Sequence, residues 1–225
     1  MWKSLLNLFY PNLCAACKDV LVKNENTICF NCLVDIPRSL DYQDNENSIA
    51  KLFWGKLKLE HALSAFTFVK GGKIQHLMHE LKYRSNTDVG YILGVELGKE
   101  IQKINNLSPI DVVIPVPLHK KKFKQRGYNQ SNSIAEGVAK VLECEISTEL
   151  LKRTEYSESQ TKKSKYERWE NVGKIFSLLE KEKYKGKHIL VVDDVVTTGS
   201  TLEACCTKLL EIDDVKLSIG TLASA

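Results

Sequence analysis

Asp193 and Asp194 close a short apolar run, Ile189, Leu190, Val191 and Val192, and a few residues later the chain passes through Thr197, Thr198, Gly199, Ser200 and Thr201. Paired carboxylates are acceptors for the adjacent hydroxyls of a sugar. The hydroxyl-rich turn offers several backbone N–H groups around a glycine that permits a tight bend, and such a nest holds an anion. Beyond it Leu202, Cys205, Cys206, Leu209 and Leu210 recur at helical spacing. The turn therefore opens into a helix whose N-terminal dipole faces the same anion. Diol recognition next to phosphate recognition points to a sugar phosphate. A strand ended by an aspartate turn and a Ser/Thr helix cap would use one Asp and one Thr and leave the rest of the run unexplained. The chain contains neither G-x-x-x-x-G-K-[ST] nor G-x-G-x-x-G, which argues against a nucleoside triphosphatase or a dinucleotide fold.

A second constellation stands at the other end of the chain. Cys14, Cys17, Cys29 and Cys32 spell two C-x-x-C pairs with eleven residues between them. Each pair presents two sulfurs from one tight turn, and four thiolates complete the tetrahedron that zinc takes in closed structural sites; a rubredoxin-like iron site uses the same ligands. Structural Zn2+ is the expected cofactor, held in a zinc-ribbon-like module over residues 1–40. Disulfides are the alternative. The lack of an export signal and the presence of three more cysteines, Cys144, Cys205 and Cys206, favour a reduced, cytoplasmic protein. Those three fall on or beside helical stretches and read as small core residues.

Between the two sites one short stretch is strongly basic. His119, Lys120, Lys121, Lys122, Lys124, Arg126 and Tyr128, with Phe123 among them, follow an apolar strand-like run at 111–118. In an open α/β sheet ligands bind beyond the carboxyl ends of strands, so this loop is placed to neutralise a pyrophosphate. Its cations and two aromatic rings equally suit the backbone and bases of single-stranded DNA. A solvated basic loop is the plain alternative for Lys120, Lys121 and Lys122. The run from Arg126 through Gly127, Tyr128 and Asn129 to Gln130 differs, because a glycine and short polar residues at a helix start suggest a fixed loop. Of the histidines, His61, His76, His79, His119 and His188, only His119 falls in this loop.

The elements that must position these groups follow from hydrophobic periodicity. Strands are expected at 61–69, 111–118, 188–192 and 215–222, and helices at about 73–84, 88–105, 129–143 and 202–210. Strands alternating with helices give an α/β protein with an open, mainly parallel sheet. A polar passage over residues 36–48 separates the metal module from a domain at 41–225, in which 48–108 forms a covering hood segment and 109–225 the core sheet. With 225 residues, 43% of them hydrophobic and 27% charged, the composition is that of a globular protein. A net charge of +4 is too small to name a nucleic-acid partner by itself. No segment is apolar for long enough to span a bilayer. The N-terminal run through Trp2, Leu5, Leu6, Leu8 and Phe9 is interrupted by Asn7 and Pro11, fails as a signal peptide, and is expected to form an amphipathic turn on the metal module.

The apolar strand, two acids, two variable residues and T-T-G-S-T at 197–201 resemble the phosphoribosyl pyrophosphate (PRPP) signature of the type I phosphoribosyltransferases. That resemblance implies that Asp193 and Asp194 bind the ribose hydroxyls, that Thr197, Thr198, Gly199, Ser200 and Thr201 bind the 5′-phosphate, and that Mg2+ accompanies PRPP. The four-cysteine module, Lys82-Tyr83-Arg84, P-V-P-L at 115–118, R-G-Y-N-Q at 126–130, Arg153-Thr154 with Gln160-Thr161, and Arg168 with Asn171 extend the likeness over nearly the whole chain, which resembles the ComF family of competence proteins. The family implies a DNA-uptake accessory that handles single-stranded DNA in the cytoplasm, with other DNA-uptake proteins as partners. It leaves open an active phosphoribosyltransferase using PRPP and an unknown acceptor. In that case the stretch 151–171 is by position the loop that closes over PRPP, with Arg153, Lys162 and Arg168 as candidate catalytic cations.

Overall fold

The computed structural model describes residues 11–40, 44, 46–154 and 175–225. Its main sheet has five strands in the order β1 (His61–Thr67), β7 (Lys216–Ser224), β6 (His188–Val196), β2 (Val112–Pro115) and β3 (Glu145–Ile146), and every neighbouring pair is parallel. A separate antiparallel pair, β4 (Leu151–Arg153) with β5 (Phe176–Leu178), brackets residues 155–174.

The central strands read as unbroken apolar runs because both of their faces are covered. Leu190 and Val192 of β6 join one cluster with α3 (Lys73–Tyr83), α4 (Thr87–Gln102) and α6 (Gln130–Leu142), whereas Ile189 and Val191 join a second with α2 (Ser48–Lys51) and α7 (Ser200–Leu209). The glycines of α4 have a packing purpose. A Cβ on Gly94 would lie 2.3 Å from the carbonyl oxygen of Ile134, and one on Gly137 would lie 2.2 Å from that of Tyr91, so α4 and α6 cross with their backbones in contact.

Three boundaries differ from the expectation. The strand that carries the acids does not stop at Val192: β6 continues to Val196, pairing Asp193 with Thr221 and Val196 with Ser224, because β7 runs alongside it for its whole length. The basic stretch is not an open loop but a seven-residue helix, α5 (Lys120–Arg126), which buries no residue and so lacks the apolar periodicity that reveals a helix in sequence. The segment 48–108, expected as a covering hood, supplies β1, hydrogen-bonded to β7 as the edge of the core sheet.

The cysteine module is packed into the domain. Cys14, Ala15, Ala16, Ile28, Cys32 and Ile36 belong to the same apolar cluster as Phe66, Leu77 and Leu81. Lys18 Nζ reaches Glu80 Oε1 at 2.6 Å and Lys73 Nζ reaches Asp35 Oδ2 at 2.7 Å, tying the module and its helix α1 (Phe30–Asp35) to α3. Within the polar passage, Arg38 bridges Phe66 through the backbone and pairs with Glu96 at 2.6 Å.

The chain leaves β2 through α6 on one face to reach β3, and leaves β6 through α7 on the other face to reach β7. Connections that diverge in this way open a crevice beyond the carboxyl ends of β2 and β6, where open α/β sheets bind their ligands. No helix among the described residues is long and apolar enough to cross a membrane.

Candidate functional site

A cavity of about 520 Å³ opens at that crevice. Its floor is the end of β6. Asp193 Oδ1 accepts hydrogen bonds from Ser131 Oγ at 3.0 Å and from the backbone N–H of Asp194 at 2.9 Å. Asp194 Oδ2 accepts from Gln130 Nε2 at 3.0 Å and meets Lys82 Nζ at 3.0 Å. Asp194 is buried and Asp193 half-buried. Burial first, and the neighbouring Asp194 charge second, push the Asp193 carboxyl up to about 7, against the opposing pull of the Asp194 N–H, the Ser131 hydroxyl and Lys82.

The turn after β6 supplies the second half of the site. Gly199 has φ +74°, the left-handed region that glycine occupies without strain, and it caps α7. Residues 195–202 and Asp193 line a hollow of about 60 Å³ at the start of this helix, and Thr197 and Thr201 line the larger cavity as well. Thr198 Oγ1 and Ser200 Oγ lie 3.0 Å apart. A helix N-terminus fronted by hydroxyls is a place where anions can bind. The carboxylates and the hydroxyl-rich turn are continuous along one strand and its exit.

Helix α5 forms the opposite wall. His119 caps it by accepting from the backbone N–H of Lys121 through Nδ1 at 3.1 Å, and the same side chain faces the cavity. Lys122 and Arg126, one helical turn apart, line the cavity, whereas Lys120, Lys121 and Lys124 are exposed outside it. The Arg126 guanidinium lies 5.6 Å from the Tyr83 ring centroid, and its Nη1, the Tyr128 hydroxyl and Gln130 Oε1 are buried without a protein partner among the described residues. Phe123 is 49% exposed. Tyr128 instead packs half-buried against the core cluster, and burial raises its phenol above the ordinary range.

Arg153, at the end of β4, lines the cavity with its guanidinium 5.5 Å from the Phe176 ring centroid. Lys162 and Arg168 lie outside the described residues, as does the N-terminal apolar run. Lys82, Gln130 and Ser131 complete the site. Gln130 and Lys82 stand out in sequence only as parts of R-G-Y-N-Q and K-Y-R, and nothing local marks either as a partner of an acid more than sixty positions away.

The Sγ atoms of Cys14, Cys17, Cys29 and Cys32 all lie within 4.8 Å of one another, and Cys17 and Cys29 are 3.8 Å apart. Sulfurs placed about 2.3 Å from one zinc ion at tetrahedral angles would be roughly 3.8 Å apart, so the quartet fits a four-thiolate metal site. The backbone N–H of Cys29 donates to Cys14 Sγ at 3.3 Å and that of Cys32 to Cys29 Sγ at 3.4 Å. Burial raises the Cys14 thiol, but the backbone donors around it outweigh that and bring it down to about 7, whereas burial pushes the Cys32 thiol well up and Cys17 is raised as well. All seven cysteines are free thiols, and Cys205 and Cys206 are buried in the core as expected.

The phosphoribosyl transferase domain family matches residues 129–225, the stretch that carries α6, β6, the hydroxyl turn and β7. The DNA utilization protein YhgH of Escherichia coli O157:H7 is 31% identical over 137 residues, covering 60% of each chain. Competence protein F of Haemophilus influenzae is 28% identical over 128 residues, 56% of each chain. Competence protein ComFC of Bacillus subtilis is 24% identical over 213 residues, 93% of this chain and 83% of that one. The alignment with the first of these thus spans three fifths of its length. Among solved structures, the glutamine PRPP amidotransferase of B. subtilis is similar at a TM-score of 0.42 and 23% identity, over 63% of this chain and 30% of that one. The chain is thus similar to competence protein F and to ComFC, matches the phosphoribosyl transferase domain family over residues 129–225, and gathers four cysteines at its N-terminal end.

Proposed function

We propose that the chain is a DNA-uptake accessory whose phosphoribosyltransferase-type site binds PRPP or a related ribose phosphate together with Mg2+. The observation that carries this reading is the continuity of the two acids with the hydroxyl-rich turn in one cavity, faced by Lys122 and Arg126. Asp193 and Asp194 would accept from the ribose hydroxyls, the 197–201 turn would hold the 5′-phosphate, and the cations of α5 would meet the pyrophosphate. Mg2+ accompanying the ligand would offset its charge.

Single-stranded DNA is the proposed macromolecular ligand. The exposed outer side of α5 presents Lys120, Lys121, Lys124 and the half-exposed Phe123 ring beside the cavity mouth, a combination that meets phosphates and stacks on a base. Other DNA-uptake proteins are natural partners for such a chain. The cysteine quartet would hold structural Zn2+, consistent with a cytoplasmic setting in which thiols stay reduced.

One observation supports a second reading, that of an active transferase: Arg153 reaches the cavity from the strand that leads into residues 155–174, where a cation would meet a leaving pyrophosphate. The deciding experiment is pyrophosphate release from PRPP and Mg2+ with bases, amines and single-stranded DNA offered in turn. A binding protein protects PRPP or leaves it intact with every acceptor; turnover with any one of them establishes the transferase.

A further inference from the structure

Asp194 already has a cation. Lys82 Nζ lies 3.0 Å from its Oδ2, the same oxygen that accepts from Gln130 Nε2 at 3.0 Å. The Lys82 side chain is 23% exposed and that of Asp194 8%, so the pair sits in the cavity wall and not on the outer surface. Lys82 lies in the last turn of α3 and Gln130 begins α6, so two helices from separate parts of the chain converge on one carboxylate oxygen.

Two adjacent carboxylates in a partly desolvated wall repel each other, and they repel a polyanionic ligand too. A nearby cation removes both obstacles. A divalent metal ion is one way of supplying it, and an ammonium group within hydrogen-bond reach is another. Here the ammonium is built in. We infer that Lys82 is the resident counter-ion of the Asp193–Asp194 pair, a positioning residue that keeps the pair as hydrogen-bond acceptors for ligand hydroxyls and stops it from collecting a metal ion of its own. The inference rests on the ribose-phosphate reading for its ligand but not for its chemistry. Any Mg2+ would then arrive already bound to the ligand.

The test uses the full chain and two probes. Mn2+ alone is titrated while the free-ion electron paramagnetic resonance signal is followed, for the parent, Lys82→Met, Lys82→Gln, Lys82→Arg, Asp194→Asn and the double variant Lys82→Met with Asp194→Asn. The parent and Lys82→Arg are expected to leave that signal undiminished at the acid pair. Lys82→Met or Lys82→Gln, whichever retains the parent's melting transition, is expected to gain one Mn2+ site that Asp194→Asn abolishes. Failure of both neutral variants to gain Mn2+, or a parent site that Asp194→Asn removes, overturns the inference. In the second arm, PRPP affinity at fixed Mg2+ is expected to fall at least tenfold in the neutral variants and to be restored by Lys82→Arg. An unchanged affinity overturns the positioning role, whereas a parent that binds no PRPP at all overturns the ribose-phosphate reading and leaves the Mn2+ arm to decide Lys82.

Discussion

Gly199 and Phe53 are in direct opposition: a Cβ built on Gly199 would lie 2.9 Å from Phe53 Cε1. Gly199 also has φ +74°, so backbone conformation and side-chain space both disfavour any other residue there, for independent reasons. Phe53 is fully buried behind the 197–201 turn, and the turn is thereby shaped from the core outward. Gly199→Ala is expected to destabilise the fold by about 1–3 kcal/mol, through strain in the left-handed region plus overpacking. Denaturant melts check the stability, and loss of ribose 5-phosphate binding at temperatures where the variant remains folded checks the turn.

The cysteine quartet gives a second prediction, and the packing sets its form. Because Cys14 and Cys32 share an apolar cluster with Phe66, Leu77 and Leu81, metal loss is expected to weaken the whole domain. Metal analysis of reduced protein is expected to find about one zinc per chain. Cys14→Ser with Cys17→Ser is expected to lower the midpoint of a single unfolding transition. A variant whose main transition stays at the parent temperature, with the module melting separately, would contradict this arrangement.

The acid pair gives a pH dependence with a definite sign. The Asp193 carboxyl is raised from 3.8 unfolded to about 7 folded, so between those values the native state keeps a proton that the unfolded chain has released. Its contribution to stability is complete below the unfolded value and is lost as pH rises through the folded one. His188 works in the opposite sense: burial lowers its imidazole below 6.5, and stability is lost as pH falls through that region. Comparing Asp193→Asn with the parent cancels the histidine. The variant is expected to match the parent near pH 4 and to melt at a higher temperature near pH 8. A variant without that growing advantage would show that Asp193 is not held protonated in the fold.

Helix α5 gives a fourth. Single-stranded DNA is expected to bind with little sequence preference and with an affinity that falls steeply with salt, since each neutralised phosphate releases counterions. Alanine at Lys120, Lys121 and Lys122 together is expected to flatten the salt slope, and Phe123→Ala to weaken binding with little change in slope. Fluorescence anisotropy at several salt concentrations reads both. Duplex binding as tight as that of single strands would assign this surface to another partner.

Those parts of the architecture that rest on local pattern were legible in the sequence. The Asp193–Thr201 run announced its turn and helix, the C-x-x-C pairs announced a quartet whose sulfurs do converge, and the apolar runs located β1, β2, β6 and β7. What depended on neighbours distant in the chain was not. Nothing around Asp194 reveals that Lys82 and Gln130 will meet it, since those contacts arise only when α3 and α6 pack on the same sheet face. The continuation of β6 through both acids comes from β7 alongside it, and local propensity counts aspartate against a strand. Helix α5 has no apolar face to display, so its basic residues read as a loop until the His119 cap and the Gly127 turn are seen. The union of the cysteine module with the core was hidden because its polar exit, 36–48, looks like a linker while Arg38 anchors it to Phe66 and Glu96.

The central claim is that the acids at the end of β6 and the turn after them form one ribose-phosphate site, and titration calorimetry with PRPP and Mg2+ tests it most directly. The parent is expected to bind one PRPP per chain, and Asp193→Asn with Asp194→Asn, shown to be folded by its melting transition, to bind at least tenfold more weakly through loss of charge-assisted hydrogen bonds to the ribose hydroxyls. Equal affinity in parent and double variant, or no PRPP binding by the folded parent, would contradict the account.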